Sequence, residues 1–307
     1  MDSLLRDHSP GPTIPLHPAI VEARRVLESV TPTLLAVQDG KPLERRWMWR
    51  GDERGWTDAR YGFYRCAEAL DLAGIQADEA LANAGVSRPA SSRIAARATV
   101  ARWELHGLLA SLSDDDLDRD PGGGEWTVRQ TLAHIVNVQR AYASFTAWWL
   151  ARRHEPDFPA EVPDGVGPDF PDEASEGTGS LADIRGRLDE VMDTAAGRLG
   201  TLDGEELAAN ARWSGYGVTV GFRLGRWASH LREHTIQVEK TLVMLDRPLR
   251  EVERLVRHIH AAHGRMEAAV FALEPGAAEP AAPAIAAAAR EVEQVAREAA
   301  EAASSAS

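Results

Sequence analysis

Cysteine occurs once in the 307 residues, at Cys66, so no disulfide can close within the chain, and this fits a reducing compartment. Lysine is nearly missing too: Lys41 and Lys240 are the two among 34 basic residues, against 47 acidic ones, for a formal net charge of −13. That balance argues against a dedicated nucleic-acid binder, which needs a basic face to neutralise phosphates, and against docking on anionic lipid. No run approaches the roughly 18 apolar residues of a membrane span. The Ala-rich stretch 281–289 comes nearest, and Pro283 interrupts it. The residues Met1 to Asp7 show no basic segment followed by an apolar one, so no secretory leader is expected and a cytoplasmic location is. Segments of strand period are lacking as well, which leaves an all-α fold as the expectation.

What is present is helical periodicity. Residues 1–16 read as a flexible leader. An N-terminal helical segment is expected over 17–85. Its first helix carries a stripe of Ile20, Ala23, Val26, Leu27 and Val30. A second helix, 57–83, carries Phe63, Ala67, Leu70, Ala77 and Leu81, with Gly74 as a candidate break. The main bundle is expected over 86–273, with helices at about 90–111, 127–153, 181–200 and 220–245. Thr127 and Ser180 are the N-cap candidates, the latter with Asp183 at N3. A fifth helix, 248–273, would take Pro248 in its first turn. Residues 154–179 hold five prolines, four glycines and eight acidic residues, and read as a long loop between the two histidine-bearing helices, with its role left open. The last segment, 274–307, is Ala/Glu-rich and of low complexity, and is expected to be a mobile tail with little to bury. The simplest architecture is an up-and-down four-helix bundle with extra N-terminal and C-terminal helices.

Two histidines, His230 and His234, stand four residues apart in the fourth bundle helix. Positions i and i+4 share a helix face, so two imidazoles there can present ring nitrogens to one divalent metal. The third ligand must come from elsewhere. His106, His134 and His154 are the candidates in other helices. His134 fits best, because its neighbours Val138 and Ala141 place it beside the apolar stripe, facing the bundle interior. Three neutral nitrogens would leave positions for water or substrate, as catalytic sites do. His258, His260 and His263 form a rival cluster, read as a partly exposed polar face beside Arg257 and Arg265.

The run Gly124-Glu125-Trp126-Thr127-Val128-Arg129-Gln130-Thr131-Leu132-Ala133-His134-Ile135, with His-Leu-Arg-Glu-His-Thr at 230–235, resembles the DinB-like superfamily, including its mycothiol-dependent maleylpyruvate isomerase-like members. The likeness covers about 90–250. It implies a four-helix bundle in which His134, His230 and His234 hold a divalent metal, commonly zinc or nickel. It also implies chemistry on a low-molecular-weight thiol such as mycothiol, bacillithiol or glutathione, by transferases and isomerases. The arginine-rich, alanine-rich composition fits GC-rich bacteria, among which mycothiol users are found.

Three functions compete. The first is a metal-dependent enzyme of thiol transferase or isomerase type acting on a small-molecule substrate. The nucleophile would be a metal-bound water or thiolate. Glu233 is the candidate proton shuttle, although successive helix positions diverge by about 100° and turn it away from its neighbour His234. Arg223 and Arg226 are the candidates for an anionic substrate group. The second is a metal-dependent hydrolase, because His230-Leu231-Arg232-Glu233-His234 matches the H-x-x-E-H string. The third is a non-catalytic metal-binding or interaction module, with Trp47, Trp49 and Trp56 as candidates for a homodimer contact.

Overall fold

The computed structural model describes residues 13–51, 56–155, 158–163, 166 and 170–305. Most of the leader expected over 1–16, and part of the loop expected over 154–179, lie outside them. Helix α1 spans Pro18–Leu35, and a short antiparallel pair follows, β1 Arg46–Met48 with β2 Trp56–Asp58. Next come α2 (Ala59–Asn83), α3 (Ala90–Leu109), α4 (Val128–Ala151), the single-turn α5 (Glu173–Glu176) and α6 (Leu181–Leu199). A hairpin of β3 (Asn210–Trp213) and β4 (Tyr216–Thr219) leads into α7 (Val220–Met244). The chain ends in α8 (Glu251–Ala268) and α9 (Ala282–Ser304). The fold is all-α, and the two small strand pairs are its departure from the sequence reading. They are three or four residues long, too short for a period to register. No helix among the described residues is long and apolar enough to cross a membrane.

The caps fix where the main helices begin. Thr127 and Gln130 form a reciprocal capping box at α4, as do Ser180 and Asp183 at α6. Each satisfies N–H groups that a helix start leaves unpaired, contributing about 1 kcal/mol. The cap of α8 differs. The Asp39 carboxylate accepts from the N–H groups of Glu251 and Val252 at 2.8 and 3.0 Å. The helix therefore begins at Glu251, and Pro248 precedes it rather than occupying its first turn.

The chain divides into two compact units. One comprises Arg88–Thr99 and Ser113–Arg247, together with the segment up to Ile14; the other comprises Pro15–Ser87, Val100–Leu112 and Pro248–Ser307. Helix α3 gives its first half to one unit and its second half to the other. This revises the sequence-based partition, because the N-terminal helices and the C-terminal tail belong to a single unit.

In the first unit, polar links fix helix directions. Thr241 Oγ1 donates to the Trp126 carbonyl (3.2 Å), and Arg223 Nε to Thr146 Oγ1 (2.8 Å), so α7 runs antiparallel to α4. At the start of α4, Arg129 reaches the carbonyls of Gly177 (2.6 Å) and Gly179 (2.8 Å), just ahead of α6. The long connection thus returns the chain to the end where α4 began, and α6 runs parallel to α4. The order is not a strict alternation of up and down. Trp149, Trp227, Leu132, Ile135, Ile184, Leu188, Leu224 and Leu231 are among the buried residues of this unit.

In the second unit, α1, α2, α8 and α9 share one core. The C-terminal segment is not an unanchored tail: Ile285, Val292, Val295 and a series of alanines form a buried face of α9. Small side chains let it approach α2 closely, and a Cβ on Gly62 would collide with Ala299. Gly74 does not break α2. It accommodates α8, whose Met266 Cα would lie 3.3 Å from a Cβ placed there. Trp47 is buried in this core, which removes it as a dimer contact, and Trp49 packs partly buried against it.

His260 and His263 are also interior, at 1% and 0% exposure, which corrects the expectation of a polar surface. They surround Trp103 near the buried carboxylate of Glu267. Glu267 receives Arg24 in a two-pronged pair (2.9 and 2.7 Å), Arg102 at 2.6 Å and the Trp103 indole N–H at 3.1 Å. Burial alone would raise its pKa. The Arg24 and Arg102 guanidiniums overcome this and hold it well below the usual carboxylate range. Glu267→Gln should therefore cost about 3–5 kcal/mol in a urea titration at pH 7, since two guanidiniums lose their counter-charge. The depressed pKa means that this stabilisation is complete above the unfolded pKa of about 4.3 and fades as pH falls below it. A loss within about 0.5 kcal/mol, the range of ordinary surface substitutions, would refute this account.

Candidate metal centre

The antiparallel seam of α4 and α7 carries the histidines. His134 is in the second turn of α4, and His230 and His234 occupy successive turns of α7. The ring centroids lie 5.3 Å apart for His134–His230, 4.7 Å for His134–His234 and 4.3 Å for His230–His234. One ring nitrogen from each lies within 4.8 Å of the others. Among the described residues no other set of three His, Cys, Asp or Glu side chains gathers in this way, and His106, His154, His258, His260 and His263 stand apart from it.

Each ring has its Nδ1 against a polar partner. Glu173 Oε2 lies 2.9 Å from Nδ1 of His134, and Gln237 Oε1 lies 2.7 Å from Nδ1 of His234. Both partners are oxygens, so both rings are set to carry the proton on Nδ1 and to leave Nε2 as a lone-pair donor. Gln139 Nε2 lies 3.3 Å from Nδ1 of His230 and 3.3 Å from the Trp227 carbonyl, while its own buried oxygen has no hydrogen-bond partner. As placed, that amide donates both to Nδ1 of His230 and to the Trp227 carbonyl, so the Nδ1 of His230 faces a donor where those of the other two rings face oxygens.

The electrostatics favour neutral rings. Burial, followed by repulsion from His234 and His134, lowers the pKa of His230 to about 3. Burial also lowers that of His234, against the hydrogen bond it donates to Gln237. Neutral imidazole is the ligating form, so three crowded rings, with His230 and His234 held toward that form, are a donor set that fits a divalent metal. Trp126, about one-third exposed, covers one side, 5.1 Å from His134 and nearly parallel to His234 at 6.5 Å. Tyr142 stands edge-on to His230 at 5.7 Å.

The remaining sequence candidates fall nearby in different states. Glu233 is clamped by Arg226 through two contacts of 2.5 and 2.9 Å. That hydrogen bonding, against a smaller effect of burial, holds its carboxyl below the ordinary range. It is an ionised partner for Arg226, outside the three-histidine group, and the H-x-x-E-H pattern has His134 where a peptidase would have a third carboxylate. Arg223 is buried with no carboxylate beside it among the described residues, and burial pushes its pKa down to about 10.

The sequence reading missed Glu173, Gln139 and Gln237. Gln237 sits one turn after His234, a spacing that was there to be read. Glu173 was hidden in the segment read as a long loop, although Asp172 before it caps α5 by accepting from the Ser175 N–H.

Fold and site together define a helical bundle with a three-histidine candidate metal centre. A family model for the DinB superfamily matches residues 97–238, which contain all three histidines, and this part of the chain belongs to that superfamily. No curated protein and no solved structure matches the chain.

Removing a partner that orients a ligand weakens metal binding without removing a donor. Glu173→Ala and Gln139→Leu should each lower zinc affinity roughly 10–100-fold in a competitive titration, with helicity by circular dichroism unchanged. Unaltered affinity in both would show that these contacts do not set the donor atoms.

Proposed function

We propose that the three-histidine centre belongs to a divalent-metal-dependent enzyme of thiol transferase or isomerase type, using a low-molecular-weight thiol as cosubstrate. The observation that carries this reading is the convergence of three imidazoles with no fourth His, Cys, Asp or Glu in the group among the described residues. A closed structural site would have four protein ligands. A bound divalent ion would supply a Lewis acid that favours the thiolate form of a thiol at neutral pH.

The chain's own side chains divide the remaining work. His134, His230 and His234 supply the nitrogens. Glu173 and Gln237 hold the Nδ1 protons and so keep Nε2 directed inward. Trp126 walls one side and limits water there. The chain's own thiol is unsuited to the reaction: Cys66 is buried, and burial pushes its pKa up to about 12. An incoming thiol is therefore needed, which favours a cosubstrate over a cysteine nucleophile.

Calorimetry with mycothiol, bacillithiol and glutathione on zinc-loaded and chelator-treated protein tests the proposal. One of these thiols should bind the metal-loaded form at about one per chain and lose measurable affinity after chelation. Binding that ignores the metal, or no binding of any of the three to loaded protein, would overturn the thiol assignment.

A further inference from the structure

Three described arginines are buried: Arg102, Arg152 and Arg223. Arg102 has Glu267 at 2.6 Å, and Arg152 has Glu155 at 3.9 Å. Arg223, 6% exposed, has no carboxylate partner among the described residues. Its Nε donates to Thr146 Oγ1 (2.8 Å) and its Nη1 to the Arg212 carbonyl (2.7 Å), so the group is held firmly while Nη2 stays open. The location adds to the imbalance. Arg223 is the fourth residue of α7, whose first turn carries no acidic side chain. A buried cation therefore sits at the positive end of a 25-residue helix, where the backbone dipole repels it.

A second donor stands beside it. The guanidinium lies over the Tyr142 ring, 5.4 Å from its centroid. The Tyr142 hydroxyl accepts from the Trp213 indole N–H at 2.9 Å and from Arg226 Nε at 3.5 Å, and its own proton has no acceptor among the described residues. The same ring meets His230 edge-on. Arg223 and His230 are seven positions apart, two helix turns on one face, or roughly 10 Å along the axis. Arg226, the other candidate, is already committed to Glu233.

We infer that Arg223 and Tyr142 form the anchor for a carboxylate on the substrate, whose reacting end lies at the three histidines. This rests on the reading of those histidines as a metal centre. One open guanidinium nitrogen and one hydroxyl match the two oxygens of a single carboxylate. A phosphate, with three outer oxygens, would leave acceptors unmet. The substrate class is a small carboxylic acid whose reactive group is a few bonds from its carboxylate.

The test is calorimetry of glutarate and succinate against valerate and butyrate on the zinc-loaded full chain. Each pair matches in carbon number and differs by one carboxylate. The dicarboxylates should bind roughly tenfold or more tightly. Arg223→Met should erase that advantage while zinc stoichiometry stays as in the wild type, and Tyr142→Phe should reduce it. Equal binding of glutarate and valerate to the wild type, or an advantage that survives Arg223→Met, would overturn the inference. Should Arg223→Met fail to fold, Arg223→Lys and Tyr142→Phe decide, since an anchor loses dicarboxylate selectivity in both. Should the protein take up no zinc, the metal reading fails by itself. The anchor is then judged on metal-free protein, where glutarate must bind the wild type more tightly than the Arg223 variant.

Discussion

The register of the α4–α7 seam is the constraint on which the site depends. Thr241 bonded to the Trp126 carbonyl pins one end, and Arg223 bonded to Thr146 pins the other. Between these pins the antiparallel helices have no freedom to slide by a turn, about 5.4 Å, without breaking both. The histidines lie between them: His134 comes level with the turn bounded by His230 and His234. A slip of one turn would leave two rings facing one another without the third. The bundle therefore fixes the site through backbone register, and Glu173, Gln139 and Gln237 refine it by fixing ring orientation.

The second unit meets a different demand. Its helices come from both ends of the chain, with the second half of α3 between them. Small residues on α9 and Gly62 on α2 permit close helix approach, so a segment poor in large apolar side chains still has a face to bury. Glu267 is a charged group in that interior. It is tolerated because Arg24, Arg102 and Trp103 together satisfy its oxygens.

Local signals and long-range ones differed in how well they could be read. The helices with strong stripes and caps were legible: Thr127 and Ser180 start α4 and α6 as their side chains dictate, and α7 carries its histidines on one face. His134 could be selected because a histidine beside an apolar stripe faces inward. Interactions that join distant parts of the chain were not legible. Asp39 caps α8 from 212 residues away, so Pro248 looked like the natural start. The alanine face of α9 looked idle because its partner, with Gly62 at the contact, lies more than 200 residues earlier. His260 and His263 looked like surface because Arg257 and Arg265 flank them, yet the same helix turns them onto Trp103. Glu173 was obscured for the same reason: its role depends on where the long connection returns.

The central claim is that His134, His230 and His234 together ligate one divalent ion. X-ray absorption at the zinc edge of the metal-loaded full chain tests it most directly. The account predicts three imidazole nitrogens at about 2.0–2.1 Å, with one lost in His134→Ala. A shell containing sulfur, a shell of oxygens alone, or a spectrum unchanged by the His134 substitution would contradict it.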